Sequence, residues 1–164
     1  MTETEKYVAK LTTLKSGDLG LLRLHAGRDL DHSVAAFDLF TGLWWPLRKE
    51  SPRVPRRKVA WLVAKLYAFR PIPHDRGKTL ARQLRRCEPN NDGGRFRQKF
   101  DLMLTLSLDE IEPALQWALD LVGSQRLNID WVKLTDDLSI WEREETRLRW
   151  AEELLAHNER RNEC

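Results

Sequence analysis

Cysteine is nearly absent from this 164-residue chain: Cys87 and Cys164 lie far apart. That excludes a disulfide framework and makes a reducing cytoplasm the expected compartment. No apolar run approaches the ~20 residues a bilayer crossing needs, so a membrane is not an expected partner. The opening residues MTETEKYVAK hold acids and no apolar centre, unlike a signal peptide. No GxxxxGK(S/T), GxGxxG or GxSxG motif occurs. The four histidines (His25, His32, His74, His157) are scattered, without a second His or Cys at ligand spacing, so neither a metal nor another cofactor is expected. Asp136 and Asp137 point about 100° apart on a helix and read as solvated surface. Asp29 and Asp31 read as helix caps, and Cys87 as a packed thiol. No catalytic constellation emerges, and the chain is not expected to be an enzyme.

What is present is helical periodicity. Thr2 to Glu5 forms a capping box ahead of Tyr7, Val8, Leu11 and Leu14. Asp18–His25 and Ser33–Phe40 follow as short helices, the latter with Val34, Phe37, Leu39 and Phe40 apolar. Thr41 to Pro46 breaks that pattern, and Arg48–Pro55 is a loop with Pro55 at the first position of the next helix. That helix, Arg56–Phe69, has an apolar stripe of Val59, Leu62, Val63, Leu66 and Phe69. Its opposite side alternates Arg57 and Lys58, Trp61, and Lys65. Lys78–Cys87 and Arg95–Leu106 are helices separated by the loop Pro89–Gly94. A second capping box, Ser107 to Glu110, starts a helix that runs to Val122 and ends at Gly123. Its outer stripe is Asp109, Glu112, Gln116 and Asp120. A helix through Leu138 and a last one, Glu142–Leu155 with Leu148, Ala151 and Leu155 inward, complete the set. The sequence predicts an all-α, irregular bundle of seven to nine mostly short helices. It predicts one domain over 1–156, with sub-bundles of about 1–106 and 107–156 and a loose tail at 157–164.

Charge is strongly segregated. Between Pro46 and Lys99, sixteen Lys and Arg stand against four acids, a net of +12 in a chain that is +3 overall. Phe100–Glu145 is −8, with three basic residues and eleven acids. The acidic stretch reads either as plain surface or as a face for a basic protein partner. The basic stretch is the footprint of a polyanion site. Eleven of its sixteen cations are arginine, whose planar fork suits phosphate oxygens. Candidate contacts on the outer helix faces include Lys58, Lys65 and Arg86 along with the neighbouring arginines. Without an aromatic-rich strand for base stacking, backbone contact is favoured over sequence readout.

The order of motifs then resembles a known family. WLVAKLYAF (61–69), GKTLARQLRR (77–86), a Gly/Asn loop, RFRQKFDLML (95–104), NIDWVKLTDDLSIW (128–141) and TRLRWAEELL (146–155) are similar to the CasB family, the small subunit of the type I-E CRISPR surveillance complex Cascade. The resemblance covers about residues 55–155. It implies an all-helical, non-catalytic subunit in antiviral defence, two copies of which lie side by side in the complex. It implies the Cascade backbone and large subunits as partners, together with the CRISPR guide RNA, the target DNA and the displaced single strand of the R-loop. By position it points to Arg56, Arg57, Lys78, Arg82, Arg95, Arg97 and Lys99, and it adds Arg143 and Arg147. Two other readings stay open: a pure scaffold subunit, and a free-standing helical DNA-binding protein.

Overall fold

A computed structural model describes the backbone of residues 1–162 and the side chains of residues 1–155. Those residues form nine α-helices: α1 (Glu3–Thr12), α2 (Ser16–Leu24), α3 (Val34–Arg48), α4 (Arg57–Phe69), α5 (Leu80–Arg86), α6 (Arg95–Thr105), α7 (Glu112–Ser124), α8 (Trp131–Ser139) and α9 (Glu144–Asn162), with a 3-10 turn at Leu30–His32. No strand occurs among the described residues beyond one isolated bridge, His74 with Ile129. The all-α class follows. No described helix is long and apolar enough to cross a membrane.

The helices sort into two compact units, residues 1–71 with 131–139, and residues 72–130 with 140–164. The division of the chain falls at 71/72. Spatial packing sets it rather than chain order, because α8 joins the unit built by α1 to α4.

In the first unit, α1 starts as its sequence dictates: the Thr2 hydroxyl accepts the Glu5 N–H at 3.1 Å. Tyr7, Val8 and Leu11 are fully buried, and the Tyr7 hydroxyl donates to the Ala60 carbonyl at 2.6 Å. Burial holds that phenol far above its ordinary pKa. Helix α4 is the centre of the unit. Every residue from Val59 to Ala68 is buried, not one stripe alone. Ala60, Ala64 and Ala68 recur every fourth residue, and such small side chains leave room for neighbouring helices α2, α3 and α8. Trp131 of α8 meets Tyr67 edge to face at 5.3 Å.

Four expectations fail in this unit. Helix α3 does not stop at Phe40 but continues through Gly42 and Pro46 to Arg48. Pro46 forfeits one backbone hydrogen bond in the last turn. Tertiary contacts outweigh that loss: Phe40 meets Trp61 of α4 edge to face at 5.4 Å, and the Trp44 indole N–H donates to the Pro55 carbonyl at 2.7 Å. The inward face of α3 is Ala36 and Phe40, while Val34 is 82% and Phe37 42% exposed. Asp137 is buried rather than solvated, with Lys133 at 3.7 Å, and exposed Asp136 accepts the Thr4 hydroxyl at 2.7 Å. Pro55 precedes the N-cap Arg56 instead of entering the helix.

The second unit joins α5 to α7 and α9, and α6 to α7. Its core holds Leu80, Leu84, Phe96, Phe100, Met103, Leu115, Leu119 and Val122. Trp141 and Trp150 meet edge to face at 5.1 Å, and the Trp141 N–H donates to the Leu106 carbonyl at 2.9 Å. The Ser107–Glu110 segment folds into a turn closed by its own side chains, Ser107 Oγ to Glu110 Oε1 at 2.9 Å. Helix α7 begins after it, with Pro113 in its first turn, and passes Gly123 to Ser124. Glu112 is buried, so the outer stripe of α7 is shorter than its sequence pattern suggests. In α9 the inward residues are Thr146, Trp150 and Leu154, while Leu148 and Leu155 are about half exposed. The larger indole of Trp150 takes the core and rotates the leucines outward. The helix backbone carries past Leu155 to Asn162; the last tail residues, 163–164, lie outside the described residues.

Candidate nucleic-acid interface

The twelve cations singled out by sequence divide between the units, four in the first and eight in the second. Nine are exposed, Arg97 and Arg147 are half-buried, and Lys65 is buried.

In the first unit, Arg56, Arg57 and Lys58 crowd the start of α4, where no acid stands in the first turn. Arg56 is exposed, but its guanidinium donates to the Ser139 carbonyl at 2.7 Å, so it also ties α4 to the end of α8. Arg57 lies 3.2 Å from Asp31, with both side chains substantially exposed. Such a surface pair contributes ~0–1 kcal/mol and opens readily. Lys65 departs from its expected outward position. It is 4% exposed, donates its ammonium to the Arg28 carbonyl at 2.9 Å, and lies 5.3 Å from the centre of the Trp61 ring. Trp61 donates to the same carbonyl at 2.9 Å. Lysine stems pack well against apolar surface, so one lysine on an otherwise apolar helix does not mark a wet face.

In the second unit, the segment before α5 is pinned to the residues before α8. Asp75 N–H donates to the Ile129 carbonyl at 2.8 Å, and Asp130 N–H donates to the Lys78 carbonyl at 2.7 Å. The Asp130 carboxylate accepts the Gly77 N–H at 2.9 Å. Gly77 has φ +86°, a conformation that L side chains rarely adopt. Thr79 then caps α5, accepting from Arg82 N–H at 3.4 Å while its hydroxyl donates to Glu153 at 2.7 Å. Leu80, Ala81, Gln83 and Leu84 face inward, which leaves Arg82 and Arg86 exposed on α5 and Lys78 exposed just ahead of it.

Asp92 organises the next turn. Its carboxylate accepts the N–H groups of Gly94 at 2.9 Å and Phe96 at 2.8 Å, and Gly94 holds φ +81° at the N-cap of α6. Arg95 is exposed beyond it. Arg97 makes a two-pronged pair with Glu88, at 2.6 and 2.8 Å. Hydrogen bonding to Glu88 holds the Arg97 guanidinium above even its usual high pKa. Lys99 lies 5.6 Å from the Trp117 ring centre, and Trp117 rests against Phe96. Arg143 is exposed at the turn before α9. Arg147 reaches the carbonyls of Leu104 and Glu142 at 3.5 Å each, which gives it a structural task.

The structure brings Arg86 and Arg97 together with Arg85 around one pocket of about 810 Å³, closed on its other side by the loop from Glu88 to Gly94. Arg85 neighbours Arg86 on the cationic face that the sequence predicts for this helix. It is half-buried and donates to the Glu153 carbonyl at 3.2 Å. No His/Cys/Asp/Glu cluster able to hold a metal occurs among the described residues.

A helix N-terminus carries partial positive charge, so natural helices favour acids in the first turn. Helices α1, α7 and α9 follow that preference, with Glu3 and Glu5, Glu112, and Glu144 and Glu145. Helices α4, α5 and α6 have no acid there, and cations stand at or beside each of their starts. Acids from elsewhere in the chain meet these starts, Asp31 beside Arg57, Glu153 on the Thr79 hydroxyl and Asp92 on the Phe96 N–H, so the positive potential there is that of the exposed cations left over.

Comparison with known proteins addresses the family and the fold. The family model described as CRISPR-associated protein Cse2 matches residues 18–153. The CRISPR-associated protein Cse2 of Thermus thermophilus is 35% identical over 109 residues, which span 65% of this chain and 62% of that protein. The chain thus matches somewhat less than two thirds of that relative. The crystal structure of CasB from Thermus thermophilus superposes with a TM-score of 0.70 at 26% identity, covering 95% of this chain and 99% of the other. A second crystal structure from Thermus thermophilus, of a CRISPR-associated protein of the Cse2 family, gives 0.74 at 25% identity over the same shares. CasB from Thermobifida fusca, at 19% identity and 0.65 over 85% and 84%, shares the fold. From the family match across most of its length, this chain belongs to the CRISPR-associated Cse2 family, the CasB family whose motifs its sequence carries.

Proposed function

We propose that the chain is a non-catalytic subunit of the type I-E CRISPR complex Cascade that holds nucleic-acid backbone on exposed cations of α4, α5 and α6. The observation that carries this reading is the inverted helix starts. Three consecutive helices place arginine or lysine where an acid is energetically preferred. Such an arrangement leaves exposed cations at the helix starts that a bound polyanion neutralises. The ligand in this reading is guide RNA, target DNA and above all the displaced strand of the R-loop. Strand exchange is nearly balanced there, so modest contacts to the released strand tip it. Guide pairing reads the sequence, which removes any need for base-reading side chains.

The working set is Arg57, Lys58, Lys78, Arg82, Arg86, Arg95, Lys99 and Arg143, all exposed. Lys65 leaves the set because its ammonium is in the interior. Arg56, Arg97 and Arg147 have structural bonds to lose, so their substitution would confound binding with folding.

The test is the salt dependence of binding to single-stranded DNA and to the R-loop. Replacing Arg57, Arg82 and Arg95 together with alanine lowers the slope of log K against log salt by about 2, at roughly 0.7 per lost single-strand phosphate contact. Preference among target sequences stays unchanged. A triple variant with the wild-type slope would sink the proposal.

A scaffold reading has one supporting observation: Val34, Phe37 and Trp45 are exposed on α3. These side chains suit contact with the other Cascade subunits or a second copy of the chain. The scaffold and the nucleic-acid readings separate on crosslinking of the assembled complex to a labelled displaced strand.

A further inference from the structure

The pocket between α5 and the start of α6 has a chemistry of its own. Its side-chain lining includes Arg85, Arg86 and Arg97, with Glu88 and Asp92 as the acids. Both acids are already committed. Glu88 is held by both prongs of Arg97, and Asp92 by the N–H groups of Gly94 and Phe96. Arg86 is exposed, and its guanidinium makes no hydrogen bond or ion pair among the described residues. The loop wall is polar, with the side-chain amides of Asn90 and Asn91 and three residues at positive φ, Asn91 (64°), Gly93 (71°) and Gly94 (81°). The Gly94 and Phe96 N–H groups of this turn are taken by Asp92, so the pocket's attraction for an anion rests on its arginines. No aromatic side chain lines the pocket to hold a base by stacking, and Pro89 is its one apolar residue apart from the glycines. Its volume, about 810 Å³, exceeds a bare phosphate and accommodates a nucleotide unit.

We infer that this pocket is a phosphate subsite that seats one phosphodiester of a bound strand, with Arg86 as its principal cation and Arg85 beside it. Glu88 is a tuning residue, because by occupying Arg97 it keeps the pocket's side-chain charge at +1 (three arginines against two acids). The chemistry shared by all sources is a phosphate ester. Its assignment to a strand rather than to a free nucleotide rests on the function proposed above.

The experiment uses the whole chain, with inorganic pyrophosphate and a deoxythymidine oligonucleotide as probes. Amide chemical shifts report the first and fluorescence anisotropy the second. Pyrophosphate is expected to shift the amides of residues 90–97 and to be displaced by the oligonucleotide. Glu88→Gln, which raises the pocket charge to +2, strengthens pyrophosphate binding several-fold. Arg86→Ala weakens pyrophosphate about tenfold and lowers the oligonucleotide's salt slope by about 0.7. Arg57→Ala, in the other unit, leaves pyrophosphate binding untouched. Shifts at 90–97 that the oligonucleotide does not compete away would overturn the strand assignment, leaving a free-anion pocket. No shift at 90–97, or no gain in Glu88→Gln, overturns the subsite itself. Arg57→Ala on the oligonucleotide still judges the proposed function separately.

Discussion

Helix α4 and the pair α5–α6 look alike in sequence: each is rich in cations, and each has apolar residues at helical spacing. In the structure they are opposites. Helix α4 is enclosed along its length, so its cations survive as surface charge only at its start, and Lys65 turns inward to a carbonyl and an indole. Helices α5 and α6 bury one side only, so cations on their other side stay in water. Cation density in a sequence therefore measures potential, while neighbour packing decides how much of it reaches solvent.

Substitutions in the two regions should separate stability from binding. Trp61→Ala has the largest effect. It removes a buried ring, the bond to the Arg28 carbonyl and the platform for Lys65, so urea unfolding should show a loss of about 3–5 kcal/mol. Gly77→Ala comes next. A Cβ there meets nothing within 4 Å, so the cost is backbone conformation alone, about 1–2 kcal/mol at φ +86°. Because that turn anchors Lys78 and α5, its strand affinity should fall alongside. Lys65→Met is smaller again and the sharpest. It keeps the buried volume, and Trp61 still donates to the Arg28 carbonyl, so stability shifts by no more than about 1 kcal/mol. Its strand affinity should match wild type, whereas exposed Arg82→Ala should weaken binding with stability within about 0.5 kcal/mol. Equal binding losses in Lys65→Met and Arg82→Ala would break the contrast between the helices.

Much of the fold is readable along the chain. The Thr2 cap and the buried Val59, Leu62, Val63 and Leu66 of α4 appear where periodicity puts them. The errors share one cause. Helix α3 passes Pro46 because partners outside it hold its side chains, the Pro55 carbonyl on Trp44 and Trp61 of α4 on Phe40. Helix α9 turns Trp150 inward instead of Leu148 because Trp141 awaits it. Asp137 and Glu112 are buried by helices that periodicity does not see. Of the candidate site, the cations themselves were legible. The engagement of Arg97 by Glu88 and the pocket shared by Arg85 and Arg86 were not, because each depends on a loop folding back over α5.

The sequence alone determined the helical class, the separation of a basic stretch from an acidic one, and the family. Composition, spacing and motif order are properties of the chain itself. Only the tertiary structure decided that the units divide at residue 71 and recruit α8 across the chain, and that Lys65 is interior while Arg82, Arg86 and Arg95 are not. Exposure is a property of neighbours, and the neighbours of each helix come from segments tens of residues away.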